Sequence, residues 1–110
     1  MGKSDSLGEF EQVALLALIR LRADAYGARI RREIAERAGR DVSLGAIYTT
    51  LDRLERKGFV SSARGAPTPE RGGRAKRFYK IEAPGERALR KSRETMDRMW
   101  EGLVPAPSAG

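Results

Sequence analysis

Apolar positions in the first half of the chain recur every three or four residues, which is the period of a helix with one face turned to a core. In "SLGEFEQVALLALIRL", Phe10, Val13, Ala14, Ala17, Leu18 and Leu21 make one stripe, and Leu15, Leu16 and Ile19 widen it. That width predicts a first helix buried on two sides, with Ser6 and Glu9 at capping-box spacing. After "ADAY", Asp24 is placed to cap a second helix. Along it Tyr26, Ile30, Ile34 and Ala38 point inward, Arg29, Arg32, Glu33 and Glu36 point outward, and Gly39 ends it. In "SLGAIYTTLDRLERKGFV", Ser43 caps a third helix whose buried stripe is Leu44, Ile47, Leu51 and Leu54, and Gly58 closes it.

Beyond Gly58 the period shortens. "FVSSAR" and "KRFYKI" are strand-like runs, and "GAPTPERGGRAK" between them is too rich in Gly and Pro to hold a helix. A β-hairpin with a long basic tip follows, in which Arg64, Arg71, Arg74, Lys76, Arg77 and Lys80 surround the single acid Glu70. Near Pro84 the helical period returns and runs to "VPAPSAG". On this last helix Leu89, Met96 and Leu103 repeat every seven residues, with Ser92, Met99 and Trp100 beside them. Such a seam is too short for an independent coiled coil but long enough to pack on a partner helix. A 110-residue chain with three short core helices leaves that seam partly uncovered, so a homodimer is expected.

The fold class that results is mostly α with a small β-hairpin. It is a winged helix-turn-helix plus a C-terminal dimerisation helix. The expected organisation is a flexible start at 1–5, a DNA-binding unit at 6–82, a dimerisation helix at 83–104 and a flexible tail at 105–110.

Charge then separates the functional classes. The chain carries 22 basic and 15 acidic residues, and residues 43–80 hold nine of the basic ones and three of the acidic. An excess gathered on the third helix and the hairpin favours a polyanionic partner. With no Cys and no His, structural zinc, thiol chemistry and imidazole catalysis are all excluded. The acids are dispersed singly, whereas a nuclease needs clustered carboxylates to hold metal. No enzyme activity, metal or cofactor is therefore expected. No apolar run approaches the ~20 residues that span a bilayer, and "MGKSDSLGEF" lacks a signal-peptide core, so no membrane contact and a cytoplasmic location are expected. A protein-interaction module is the rival reading, but it has no need of a concentrated basic patch and would show little salt dependence with DNA.

The face of the third helix opposite its apolar stripe is small, hydroxylated or cationic, which suits close approach to the major groove of double-stranded DNA. Ala46 and Thr49 would keep the backbone near base edges, and Tyr48, Thr50 and Arg53 would bond phosphates or bases. Ser43 at the helix start and Arg74, Lys76 and Arg77 of the wing complete the expected DNA-binding set. Tyr48 has a second reading, as a half-buried ring packed on the wing.

The segments "LLALIRL", "AYGARIRREI", "LGAIYTTLDRLERKGFV" and "GGRAKRFYKIEAPGERAL" together resemble the PadR family of winged helix-turn-helix transcriptional regulators, in its short type with one C-terminal helix. The Tyr-x-x-Leu-x-x-Leu-x-x-x-Gly run followed by Gly-Gly-Arg and an aromatic pair is the specific part. At "IEAPG" the family usually has a threonine, so Glu82 is expected to replace a hydroxyl cap. The resemblance implies a dimeric repressor reading a palindromic operator, with helix 43–57 in the major groove and wing 64–77 on the adjacent backbone or minor groove. It also implies a small aromatic or drug-like effector held at the dimer interface, between the first and last helices. Here that site would comprise Phe10, Ala14, Met96, Met99 and Trp100, unless those residues are simply interface core. The dimer interface itself is expected at Leu89, Ser92, Met96, Met99, Trp100 and Leu103.

Overall fold

The computed structural model describes residues 6–65 and 76–103. Its elements are α1 (Glu9–Leu21), a single 3-10 turn (Arg22–Asp24), α2 (Gly27–Ala38), α3 (Leu44–Arg56), β1 (Val60–Arg64), β2 (Arg77–Ile81) and α4 (Ala83–Trp100). Three helices surround one apolar core, the hairpin closes its edge, and α4 leaves from the end of β2. This is the mostly helical, winged architecture that the periodicity predicts.

α1 is capped at Gly8 and not at Ser6. The reason is Glu11, whose Oε1 accepts the Gly8 N–H at 2.9 Å and holds the first turn from three residues on. The buried face of α1 is Ala14, Leu15, Ala17, Leu18 and Leu21. Leu16 and Ile19 are exposed, so within one chain α1 is covered on one side only, and the expected second buried side lies open. Asp24 does not cap α2; it sits in the 3-10 turn and pairs with Arg29 (Nε–Oδ2 3.1 Å), while Tyr26 occupies the cap position in extended conformation. Ile30 and Ile34 enter the core, but Ala38 is exposed because it is the last residue of α2, after which Gly39 takes a left-handed φ of 67°.

Ser43 caps α3 as expected, its Oγ accepting the Ala46 N–H at 3.0 Å. Ile47, Leu51 and Leu54 are fully buried, and Leu44 at the helix start is half-buried. Gly58, at φ 81°, turns the chain so that the Phe59 N–H reaches the Leu54 carbonyl at 2.9 Å and β1 can start. The strands are antiparallel, in register from Val60 opposite Ile81 to Arg64 opposite Arg77. The free edge of β2 meets the segment before α2: the Tyr79 N–H bonds the Ala25 carbonyl at 2.9 Å, and Tyr26 bridges Phe78. The hairpin is thereby fastened to the helical body at its base.

Glu82 precedes α4 without capping it through its side chain. Its carboxylate instead accepts the Ser61 hydroxyl at 2.5 Å, which ties the helix start to β1. Gly85 is buried against the Phe59 backbone, with room for no side chain. Ala88 and Leu89 pack on the core of their own chain, so Leu89 is only partly available to a partner. Farther along, Met96, Met99, Trp100 and Leu103 are exposed. Among the described residues no helix is long and apolar enough to cross a membrane.

Candidate nucleic-acid interface

α3 offers the solvent two adjoining rows. Gly45, Thr49, Asp52 and Arg56 lie along one, and Ala46, Thr49 and Arg53 along the other, all exposed. Near the helix start the face is nearly flat, because Gly45 has no side chain and Ala46 only a methyl. Cations gather toward its end, where Arg53 and Arg56 stand one and two turns beyond Thr49. Ser43 is exposed at the tip, but its hydroxyl already serves as the cap.

One expected member does not belong. Thr50 is 5% exposed, on the side of Ile47, Leu51 and Leu54, and cannot reach DNA from there. Residues 47, 50, 51 and 54 follow the i, i+3, i+4, i+7 spacing of a buried stripe, so position overrides the polarity of the hydroxyl. Arg56, which is not in the expected set, lies exposed on the same outward row at helical spacing from Thr49 and Asp52.

Tyr48 lies on the flank of α3 nearest the hairpin, 39% exposed, with its ring 6.5 Å from that of Tyr79. Its hydroxyl stands over Gly27 at the start of α2, a place that glycine leaves open. The Tyr48 ring is thus partly packed and partly free, between the two roles expected of it. Buried Tyr79 has its phenol raised above the ordinary value, first by burial and then by the Asp52 carboxylate.

The hairpin is also braced against the same helix from the loop end of β2. Arg77 Nη1 donates to Ser62 Oγ at 2.8 Å, and that hydroxyl donates to Glu55 Oε2 at 3.1 Å on α3. Lys76 holds its ammonium 4.2 Å above the Tyr26 ring. Arg74 lies outside the described residues.

On the opposite flank, Glu11 of α1 meets two cations of α3: Arg53 Nε lies at 3.0 Å and Lys57 Nζ at 3.3 Å from Oε2. Burial alone would raise the Glu11 carboxyl. The Gly8 N–H, Arg53 and Lys57 outweigh it and hold the group below the ordinary carboxylate range. Glu11 belongs to the first helix and was not among the expected site residues; a single glutamate gives no periodic signal of its distant partners.

The expected effector set is not assembled within one chain. Ala14 is fully buried in the core and cannot line a pocket for a ligand. Phe10 lies under the Arg40 guanidinium, 5.6 Å from the ring centre. The depression of about 260 Å³ beside Met96 is lined by Ser6, Leu7, Gln12, Ala88 and Ser92 among others, not by Phe10, Ala14 or Trp100.

Residues 15–91 match the transcriptional regulator PadR-like family. The chain belongs to the PadR-like family of transcriptional regulators. The match takes in α2, α3, the hairpin and half of α4, the parts that carry the exposed cationic face. Transcriptional regulator Rv3488 of Mycobacterium tuberculosis is 33% identical over 103 residues, spanning 91% of this chain and 92% of that protein. Among solved structures, a PadR-like transcription factor from Bacteroides fragilis aligns at TM-score 0.72 and 23% identity, over 86% of this chain and 85% of that one. The complex structure of hsRosR-S4 aligns at TM-score 0.68 and 27% identity, over 90% of this chain and 78% of that one. PadR-like proteins are transcriptional regulators and not enzymes.

Proposed function

We propose that this PadR-like regulator is a dimeric repressor that binds a palindromic operator through α3 and the wing. The observation that carries the reading is the exposed face of α3. It is small at Gly45, Ala46 and Thr49 and cationic at Arg53 and Arg56, beside a hairpin braced by Arg77. An α-helix fits the major groove, short leading side chains let its backbone come close to the base edges, and flanking cations then meet phosphates. Residues 6–82 form the DNA-binding unit on this reading, and 83–104 form the pairing arm. The arm exposes Met96, Met99, Trp100 and Leu103, a larger apolar display than isolated surface residues need, and a second copy of the chain is the proposed cover. With one recognition helix in each half, a dimer reads a two-fold site, and its occupancy of a promoter excludes polymerase. A small aromatic effector, if the arm binds one, would be held by Met96, Met99 and Trp100.

Titration of the protein with random duplex at two salt concentrations tests the reading. Affinity should fall steeply with salt, the logarithmic slope being about 0.9 per phosphate neutralised. Weak binding with no salt dependence would instead support a protein-interaction module. Replacing both Met96 and Leu103 by Glu should convert the dimer to monomer in light scattering and lower the affinity for DNA. A doubly substituted protein that keeps dimer mass would place the interface elsewhere.

A further inference from the structure

Glu11 lies in the first turn of α1, 7% exposed, and faces the C-terminal half of α3. Its carboxylate accepts the Gly8 N–H at 2.9 Å, Arg53 Nε at 3.0 Å and Lys57 Nζ at 3.3 Å. One acid between two cations leaves the group with a net positive charge, and the two cations are not placed alike. Lys57 is closed in: its side chain is 23% exposed, its ammonium also reaches the Ser6 carbonyl at 3.5 Å, and it lies 5.8 Å from the centre of the Phe59 ring. The Arg53 side chain is 47% exposed and is held through Nε alone; among the described residues its two Nη groups meet no acceptor. Arg53 is seven residues from Ala46 and four from Thr49, on one row of the outward face.

We infer that Glu11 is a positioning residue for DNA binding: it pins Arg53 through Nε so that the Nη edge of the guanidinium is held out toward a phosphate. The inference rests on the DNA-binding reading above. Lys57 supplies the countercharge, so Glu11 orients Arg53 without cancelling its charge. A guanidinium anchored at one edge surrenders less rotamer freedom when its other edge grips a phosphate. Lysine at position 53 could not do this, since an ammonium has no second edge to be held by.

The sign of the effect separates this role from simple electrostatics. By charge alone, deleting an acid beside a DNA-binding face strengthens binding. Glu11→Gln keeps the size of the side chain, but one amide oxygen cannot serve the Gly8 N–H, Arg53 and Lys57 together. It should therefore weaken binding to a random-sequence duplex by about threefold to tenfold despite the gain in positive charge, the range set by freezing one long side chain. The experiment is a set of binding isotherms, with melting curves beside them, for the parent, Glu11→Gln, Arg53→Ala and the double variant. In the Arg53→Ala background, Glu11→Gln should no longer weaken binding.

Arg53→Lys is the independent arm. It leaves the Glu11 contacts with Gly8 and Lys57 intact, keeps the charge, and should lose affinity by a similar factor. A folded Glu11→Gln protein that binds as tightly as the parent, or tighter, overturns the inference. So does an equal loss in the presence and absence of Arg53, which would make Glu11 a scaffold only, and so does an Arg53→Lys protein with parental affinity. A parent that fails to bind duplex at all overturns the DNA reading first, and this inference with it.

Discussion

Gly27→Ala is the substitution that most directly connects the packing of α2 to the recognition helix. A methyl at that position would overlap the Tyr48 hydroxyl oxygen and come within 2.6 Å of Cζ and 3.0 Å of Cε1. The obstacle is the tip of a side chain that is already 39% exposed, so Tyr48 can swing aside and the backbone of α2 need not move. Two stability terms then oppose each other. Alanine in place of glycine restricts the unfolded chain and favours the fold by about 0.4–1 kcal/mol. Displacing Tyr48 forfeits its aromatic contact with Tyr79, 6.5 Å between ring centres, worth about 0.5–1.5 kcal/mol. The net change in stability should stay within about 1 kcal/mol, while the displaced ring crowds the outward face beside Thr49 and weakens DNA binding. Urea unfolding and binding isotherms on the same samples measure both quantities. Gly85→Ala is the contrast, because there the added methyl meets the Phe59 backbone carbonyl, which cannot rotate away, and overpacking of this kind costs about 1–3 kcal/mol. If Gly27→Ala lost as much stability as Gly85→Ala, Tyr48 would be a fixed part of the core. If it bound DNA like the parent while fully folded, the position of Tyr48 would not matter to recognition.

Two neighbouring threonines should behave as opposites. Thr49→Ala should leave the melting temperature unchanged and cost about 1–3 kcal/mol on a duplex selected by the parent from a random pool. Thr50→Ala removes a buried methyl, and should lower stability by about 1–2 kcal/mol with selectivity preserved; the reverse pattern would mean that α3 turns its other side to DNA. The Glu11 carboxyl is held below its ordinary range in the folded protein, so the stability it contributes is present at neutral pH and is lost as pH falls through that lowered value. Chemical unfolding of the parent and Glu11→Gln should differ by about 1–2 kcal/mol at pH 7 and converge as pH falls through the lowered Glu11 value, and a gap independent of pH would refute the ion-pair assignment.

Much of this protein is local, and what is local was legible. The α3 boundaries follow from Ser43 as cap and Gly58 as stop, and the hairpin follows from two short apolar runs around a segment that cannot be helical. Cap geometry, period and glycine conformation depend on neighbours a few residues away, so each could be read without knowing the rest of the chain. What failed were inferences from residue type against position. Ser6 and Asp24 are good caps by type, yet Gly8 and Tyr26 hold those places, because Glu11 and Arg29 draw the chain into other pairings. Thr50 is polar but its place on the helix is buried, while Leu16 and Ile19 are apolar but face away from the core that the described residues build.

The tertiary structure alone decided which groups meet across long stretches of chain. Arg53 finds Glu11 from 42 residues away, and β2 finds the segment before α2 through the Ala25 carbonyl. Neither contact leaves a periodic trace, since any of several acids could have met Arg53 and any exposed strand could have met that edge. Such pairings are set by how α1 and α3 cross and by where the hairpin folds back. Those choices follow from the shape of the whole core, which is why the sequence displays a DNA-facing helix openly and conceals what holds its arginine in place.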